Sequence, residues 1–79
     1  MTRDEALVWL AGVFEEPPGN VRADTPRDEI GGWDSLGVLT LMADLDEKFN
    51  IQLSENESRE MTSIQDLLAF LEKRGAVSG

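Results

Sequence analysis

The chain has 79 residues, which supports one compact domain with a small core and leaves little room for a deep enzyme cleft. Its 16 Asp and Glu against 7 Lys and Arg give a formal net charge of −9, which argues against nucleic acid and anionic membrane surfaces as main partners and favours a basic protein surface. With neither Cys nor His there is no disulfide, no thiolate nucleophile, no imidazole base and no ordinary zinc site, a composition that fits a cytoplasmic protein.

Thr2 followed by Glu5 has the form of a capping box, and Leu7, Leu10, Ala11 and Phe14 then repeat at helical spacing, predicting a first helix over 2–15. The apolar stretch inside it, Ala6 to Phe14, falls far short of the ~18 to 20 residues that span a bilayer. It follows Arg3-Asp4-Glu5 and no small-residue cleavage site comes after it, so it does not read as a signal peptide. Residues 16–33, with Pro17, Pro18, Gly19 and a third proline, read as a long ordered loop of the kind that usually has a function.

A second helix is predicted over 34–49, capped by Asp34 or Ser35, and a short polar one over 54–60, where Ser54 and Glu57 form another box. Little in the short helix is apolar, so it is expected to be weakly held. Thr62 and Gln65 suggest a third box opening a helix over 62–74, in which Ile64, Leu67, Leu68 and Leu71 follow the i, i+3, i+4, i+7 rule until Gly75 stops it. Residues 75–79 read as a frayed tail. No alternating strand pattern appears, so the expected fold is all-α, a small four-helix bundle of three longer helices and one short one, with a long loop after the first.

On the second helix, Val38, Leu41, Met42, Leu45 and Phe49 share one face, enough for a core stripe. Leu36, Leu39 and Ala43 lie along one edge and widen the apolar arc to roughly 220°, bordered by Asp46 and Glu47. That edge suits a partner with an apolar groove and a basic rim; the alternative is that the leucines are core and the acids a solvated face. At the start of the helix, the Ser35 hydroxyl lies beside unpaired N–H groups and the positive end of the macrodipole, where it either caps the helix or holds a phosphate.

Gly32-Trp33-Asp34-Ser35-Leu36, the helix ending in Phe49, the Ile51 and Leu53 alternation, the Met61-Thr62-Ser63-Ile64 step and the Leu67 to Leu71 helix together resemble an acyl carrier protein over nearly the whole chain. The resemblance implies a single carrier domain over 1–79, most densely matched from Asp34 to Leu71, and a protein that catalyses nothing. In such a protein a phosphopantetheinyl transferase attaches 4′-phosphopantetheine to Ser35, with Asp34 and Leu36 completing the signature it contacts. The arm supplies the thiol that the chain lacks, holding acyl groups as thioesters. Leu36, Leu39, Ala43, Asp46 and Glu47 match the family's recognition helix, implying acyl-activating, condensing or acyltransferase partners with basic docking surfaces. Ile51 and Met61 either border the space for arm or chain or pack in the core.

Gly37 and Thr40 stand where many fatty-acid carriers have acidic residues. The thinner negative face, with Trp33, favours a dedicated carrier in a specialised polyketide-like or lipid pathway over general fatty-acid biosynthesis. Gly37 costs up to ~1 kcal/mol against alanine in a helix, which a close approach by the arm or a partner would explain. Peptidyl and D-alanyl carriers are the neighbouring subclasses; Gly31-Gly32 hints at the first of them.

The rival from another class is an unmodified acidic helical adaptor, for which Ser35 is only a cap. A hydrolase fails because no histidine activates Ser35. A calcium loop over 50–61 fails because Glu55 and Met61 stand where glycine and the bidentate glutamate are needed. No metal site, no membrane insertion and no self-association are expected, and the span from Met1 to just past the last helix suggests a free-standing monomer. Self-repulsion at −9 should make the bundle marginal at low ionic strength, so millimolar magnesium or added salt is expected to raise Tm, and a melting curve that does not move would refute this.

Overall fold

Thr2 starts the first helix through a reciprocal capping box: the Glu5 amide donates to Thr2 Oγ1 at 3.1 Å and the Thr2 amide to Glu5 Oε1 at 2.8 Å. This helix is α1 (Arg3–Val13) of a computed structural model describing residues 1–78, in which α2 (Ser35–Phe49), α3 (Glu55–Glu60) and α4 (Ile64–Lys73) follow. The architecture is the expected all-α one, without a strand among the described residues. The long α1–α2 loop contains two single 3-10 turns, Pro18–Asn20 and Arg27–Glu29. None of the helices is long and apolar enough to cross a membrane.

Ser54 and Glu57 form the same reciprocal box at α3. Both box glutamates are held below the ordinary carboxylate value of 4.5, chiefly by the backbone amide each accepts, from Thr2 and from Ser54. A lowered folded-state pKa gives stability that is fully present above the unfolded value and is lost as pH falls through it towards the folded one. The chain is therefore expected to melt above its Glu5→Gln/Glu57→Gln variant at about pH 6, with the gap closing as pH falls from about 5 to about 3. Thermal melts at fixed ionic strength check this, because the difference between the two proteins cancels their shared charge repulsion.

Leu10 and Phe14 of the first helical segment, Leu41 and Leu45 of α2, and Ile64, Leu67, Leu68 and Leu71 of α4 form the fully buried core, joined by Val21 from the loop. Of the α2 stripe, Val38, Met42 and Phe49 are only half-buried. Phe49 meets Trp9 edge to face at 5.6 Å between ring centroids. Trp33 is buried, its ring stacked on Phe14 at 5.1 Å with 16° between planes, and this anchors the end of the loop.

Two sequence expectations need correction. The cap of α4 is Ser63, whose Oγ accepts from the Asp66 amide at 3.4 Å, and not Thr62. Thr62 lies outside the helix: Arg27 N–H donates to Thr62 O at 2.8 Å and Ile64 N–H to Thr25 O at 2.9 Å, pairing Pro26 with the extended Ser63 across an antiparallel bridge. Its amide and hydroxyl both donate to Asp66 Oδ2, at 2.8 and 3.1 Å.

The tail is not frayed up to Ser78. Gly75, at φ 80°, closes α4 with Gly75 N–H to Glu72 O at 3.0 Å and Ala76 N–H to Leu71 O at 2.9 Å, the Schellman pattern. This turn feeds Ala76 and Val77 into the core, where both are buried. The Met1 ammonium then donates to Ala76 O at 3.0 Å and the Ser78 amide to Met1 O at 2.9 Å, tying the two ends together. The last residue of the expected tail, Gly79, lies outside the described residues.

Candidate functional site

Asp34, not Ser35, caps α2: Asp34 Oδ1 accepts from the Gly37 amide at 2.9 Å. Ser35 is the first helical residue, exposed, and its hydroxyl has no hydrogen-bond partner among the described residues. The amides of Ser35 and Leu36 have no acceptor within the helix because they precede its first hydrogen-bonded turn, so they add donors and the positive macrodipole end to the same spot. A free hydroxyl beside unused amides fits a covalently held phosphodiester, whose charge those donors would balance.

The loop is pressed onto the first turn of α2 by two glycines. A Cβ on Gly37 would overlap the Gly32 carbonyl oxygen and reach 3.2 Å from Phe14 Cδ1, and a Cβ on Gly32 would overlap the Phe14 carbonyl oxygen. The close approach that Gly37 serves is therefore made by the chain's own loop backbone, not by an arm or a partner. It fixes the Trp33-Asp34-Ser35 turn against the end of the first helical segment.

Ser35 opens onto a groove of about 320 Å³ whose α2 wall is Val38, Leu39 and Met42 and whose other wall is Arg27, Glu55, Ser58 and Arg59. Arg27 has no counterpart in the sequence reading. Its Nη1 donates to Ser58 O at 2.9 Å and Met61 O at 3.3 Å, and its guanidinium lies over the Trp33 ring at 5.1 Å. It thereby holds α3, in which Ser58 alone is buried, against the loop. No spacing rule links position 27 to 58 and 61, so only the folded chain brings them together.

The outer edge of α2, Leu36 to Glu47, is exposed at the residues the resemblance assigns to recognition. Leu36 and Leu39 are 73% and 62% accessible, and Ala43, Asp46 and Glu47 are exposed below them, so the alternative that these leucines are core does not hold. Thr40 back-bonds to Leu36 O at 3.0 Å on the adjoining face. Of the residues expected to border the arm, Ile51 is in the core and does not line the groove. Met61 is in the core as well, and it lines a second basin with Trp33.

A family model described as the phosphopantetheine attachment site matches residues 8–71. An acyl carrier protein of Campylobacter concisus (strain 13826) is 36% identical over 58 residues, covering 73% of this chain and 75% of that protein. One from Exiguobacterium sp. (strain ATCC BAA-1283 / AT1b) is 27% identical over 79 residues, covering 94% of this chain and 99% of its own. No solved structure gives a significant match. A family match over most of the length, together with these relatives, places the chain in the acyl carrier protein family, non-catalytic carriers with covalently attached 4′-phosphopantetheine.

Proposed function

We propose that Ser35 is the attachment residue and that the chain carries acyl thioesters for a dedicated biosynthetic pathway. The observation that supports this best is that Ser35 is released from capping by Asp34 and presents an unpartnered hydroxyl at the start of α2. In the loading step Ser35 Oγ loses its proton and bonds to the phosphorus of the pantetheine-linked phosphate of coenzyme A. The pyrophosphate bond breaks and adenosine bisphosphate leaves. Asp34 and Leu36 flank the hydroxyl as the contacts of the modifying transferase.

Leu36 and Leu39, with Ala43, Asp46 and Glu47, form the docking edge for the transferase and for acyl-activating, condensing or acyltransferase enzymes with basic surfaces. Their exposure on one side of α2 supports this assignment. With Gly37 buried and Thr40 neutral, the upper half of the edge is apolar and its charge lies lower, at Asp46 and Glu47. That distribution favours specialised partners over those of general fatty-acid synthesis, acting in the cytoplasm on a monomeric carrier. Intact mass after incubation with coenzyme A, magnesium and a broad-specificity phosphopantetheinyl transferase tests the assignment: one added phosphopantetheine, absent in Ser35→Ala, is expected.

A further inference from the structure

In a chain with a net charge of −9, the groove beside Ser35 is walled by two arginines. Arg3, Lys48, Arg59 and Arg74 each lie within 4.0 Å of a carboxylate. Arg27 does not. It is half-buried, spends Nη1 on two backbone carbonyls, and leaves Nε and Nη2 without a partner among the described residues. A half-buried guanidinium with unused donors is the side chain best suited to a planar anion. Arg59 pairs with Glu55 at 3.6 Å, but both side chains are more than 70% exposed, so water and other ions compete readily for that pair.

Arg27 and Arg59 also line the adjoining basin of about 740 Å³, which contains Trp33. The Trp33 Nε1–H is a buried donor with no acceptor among the described residues, a costly state that a ligand oxygen would relieve. The region thus sets the unused donors of Arg27 and Trp33 beside two carboxylates, Glu55 of the groove, which is paired with Arg59, and the exposed Asp28 of the basin, while the α2 wall is apolar through Val38 and Met42.

We propose, on the basis that Ser35 carries the arm, that this groove and basin bind the free carboxylate of a short acyl cargo whose other end is the thioester. Its methylenes lie against Val38 and Met42, and its carboxylate takes the unused donors of Arg27, with Arg59 as the second cation. The arm's phosphodiester has its own donors in the amides at the start of α2, so the arginines remain for the cargo. The substrate class is an acyl group ending in a carboxylate, as opposed to a plain alkyl chain.

The test loads ¹⁵N-labelled chain from glutaryl-coenzyme A, from pentanoyl-coenzyme A of the same chain length, and from coenzyme A itself, using a broad-specificity transferase. Intact mass reports the loading. The Trp33 indole N–H and the Arg27 Nε–H resonances are then compared. The glutaryl arm is expected to move both by several line widths relative to the pentanoyl arm, and Arg27→Gln to abolish the difference at the indole. Arg27→Lys, which retains the charge, is expected to keep part of it should the glutamine variant fold poorly. Equal spectra for the two cargoes, a response already complete with the unloaded arm, or a difference that survives in a folded Arg27→Gln would overturn the proposal. Absence of any mass gain would instead overturn the carrier assignment of Ser35.

Discussion

Ser35→Ala is expected to gain no mass with coenzyme A, magnesium and the transferase, while the parent chain gains one phosphopantetheine and loses none of its fold. The variant should melt close to the parent, because Ser35 makes no capping bond and alanine is the best residue inside a helix. Asp34→Ala reverses the stability pattern. It removes the acceptor for the Gly37 amide, with a cost of about 1 kcal/mol, which for a domain of this size is roughly 4 to 8 °C in Tm. The pair separates the carrier from the adaptor. An unmodified adaptor keeps its partner binding in Ser35→Ala and shows no mass gain in either protein. A parent chain that stays unmodified while folded would make the adaptor the better account.

The helices were legible because each is marked by local signals that tertiary contacts do not override. Thr2-Glu5 and Ser54-Glu57 form the boxes their spacing indicates, and Ile64, Leu67, Leu68 and Leu71 bury the face their period defines. The exposed edge of α2 was only half legible: Leu36 and Leu39 are apolar beyond what one buried stripe needs, which left core and exposed edge both open, and the fold exposes them. What was not legible depends on contacts between distant segments. The Pro26–Ser63 bridge shifts the α4 cap by one residue, and the Met1–Ala76 and Ser78–Met1 bonds order a tail whose composition looks flexible. Arg27 looks like an ordinary polar loop residue until the fold places it between Trp33 and the end of α3. The choice between Asp34 and Ser35 as cap depended on one hydrogen bond, and that bond decides which of the two has a free oxygen.

The glycines beside the serine carry the second large effect. Helix propensity alone predicts that replacing a helical glycine by alanine stabilises by up to about 1 kcal/mol. Gly12, near the end of α1, has nothing within 4 Å of an added Cβ, so Gly12→Ala is expected to raise Tm by a few degrees. Gly37→Ala should do the opposite. Its methyl overlaps the Gly32 carbonyl oxygen, a backbone atom that no rotamer change can move, and crowds Phe14 on the other side. A backbone overlap belongs at the upper end of overpacking costs, about 3 kcal/mol, which outweighs a propensity gain of about 1 kcal/mol and lowers Tm by roughly 8 to 16 °C. Gly32→Ala meets the Phe14 carbonyl in the same way and is expected to match it. Relief requires the loop to lift from α2, and the loop carries Trp33 and Asp34, so the turn presenting Ser35 must shift with it. At a temperature where Gly37→Ala is still folded, its transfer rate should therefore fall relative to Gly12→Ala, linking one buried contact to both stability and loading. Equal melting temperatures for Gly12→Ala and Gly37→Ala would show that the loop backbone yields freely and does not position the serine.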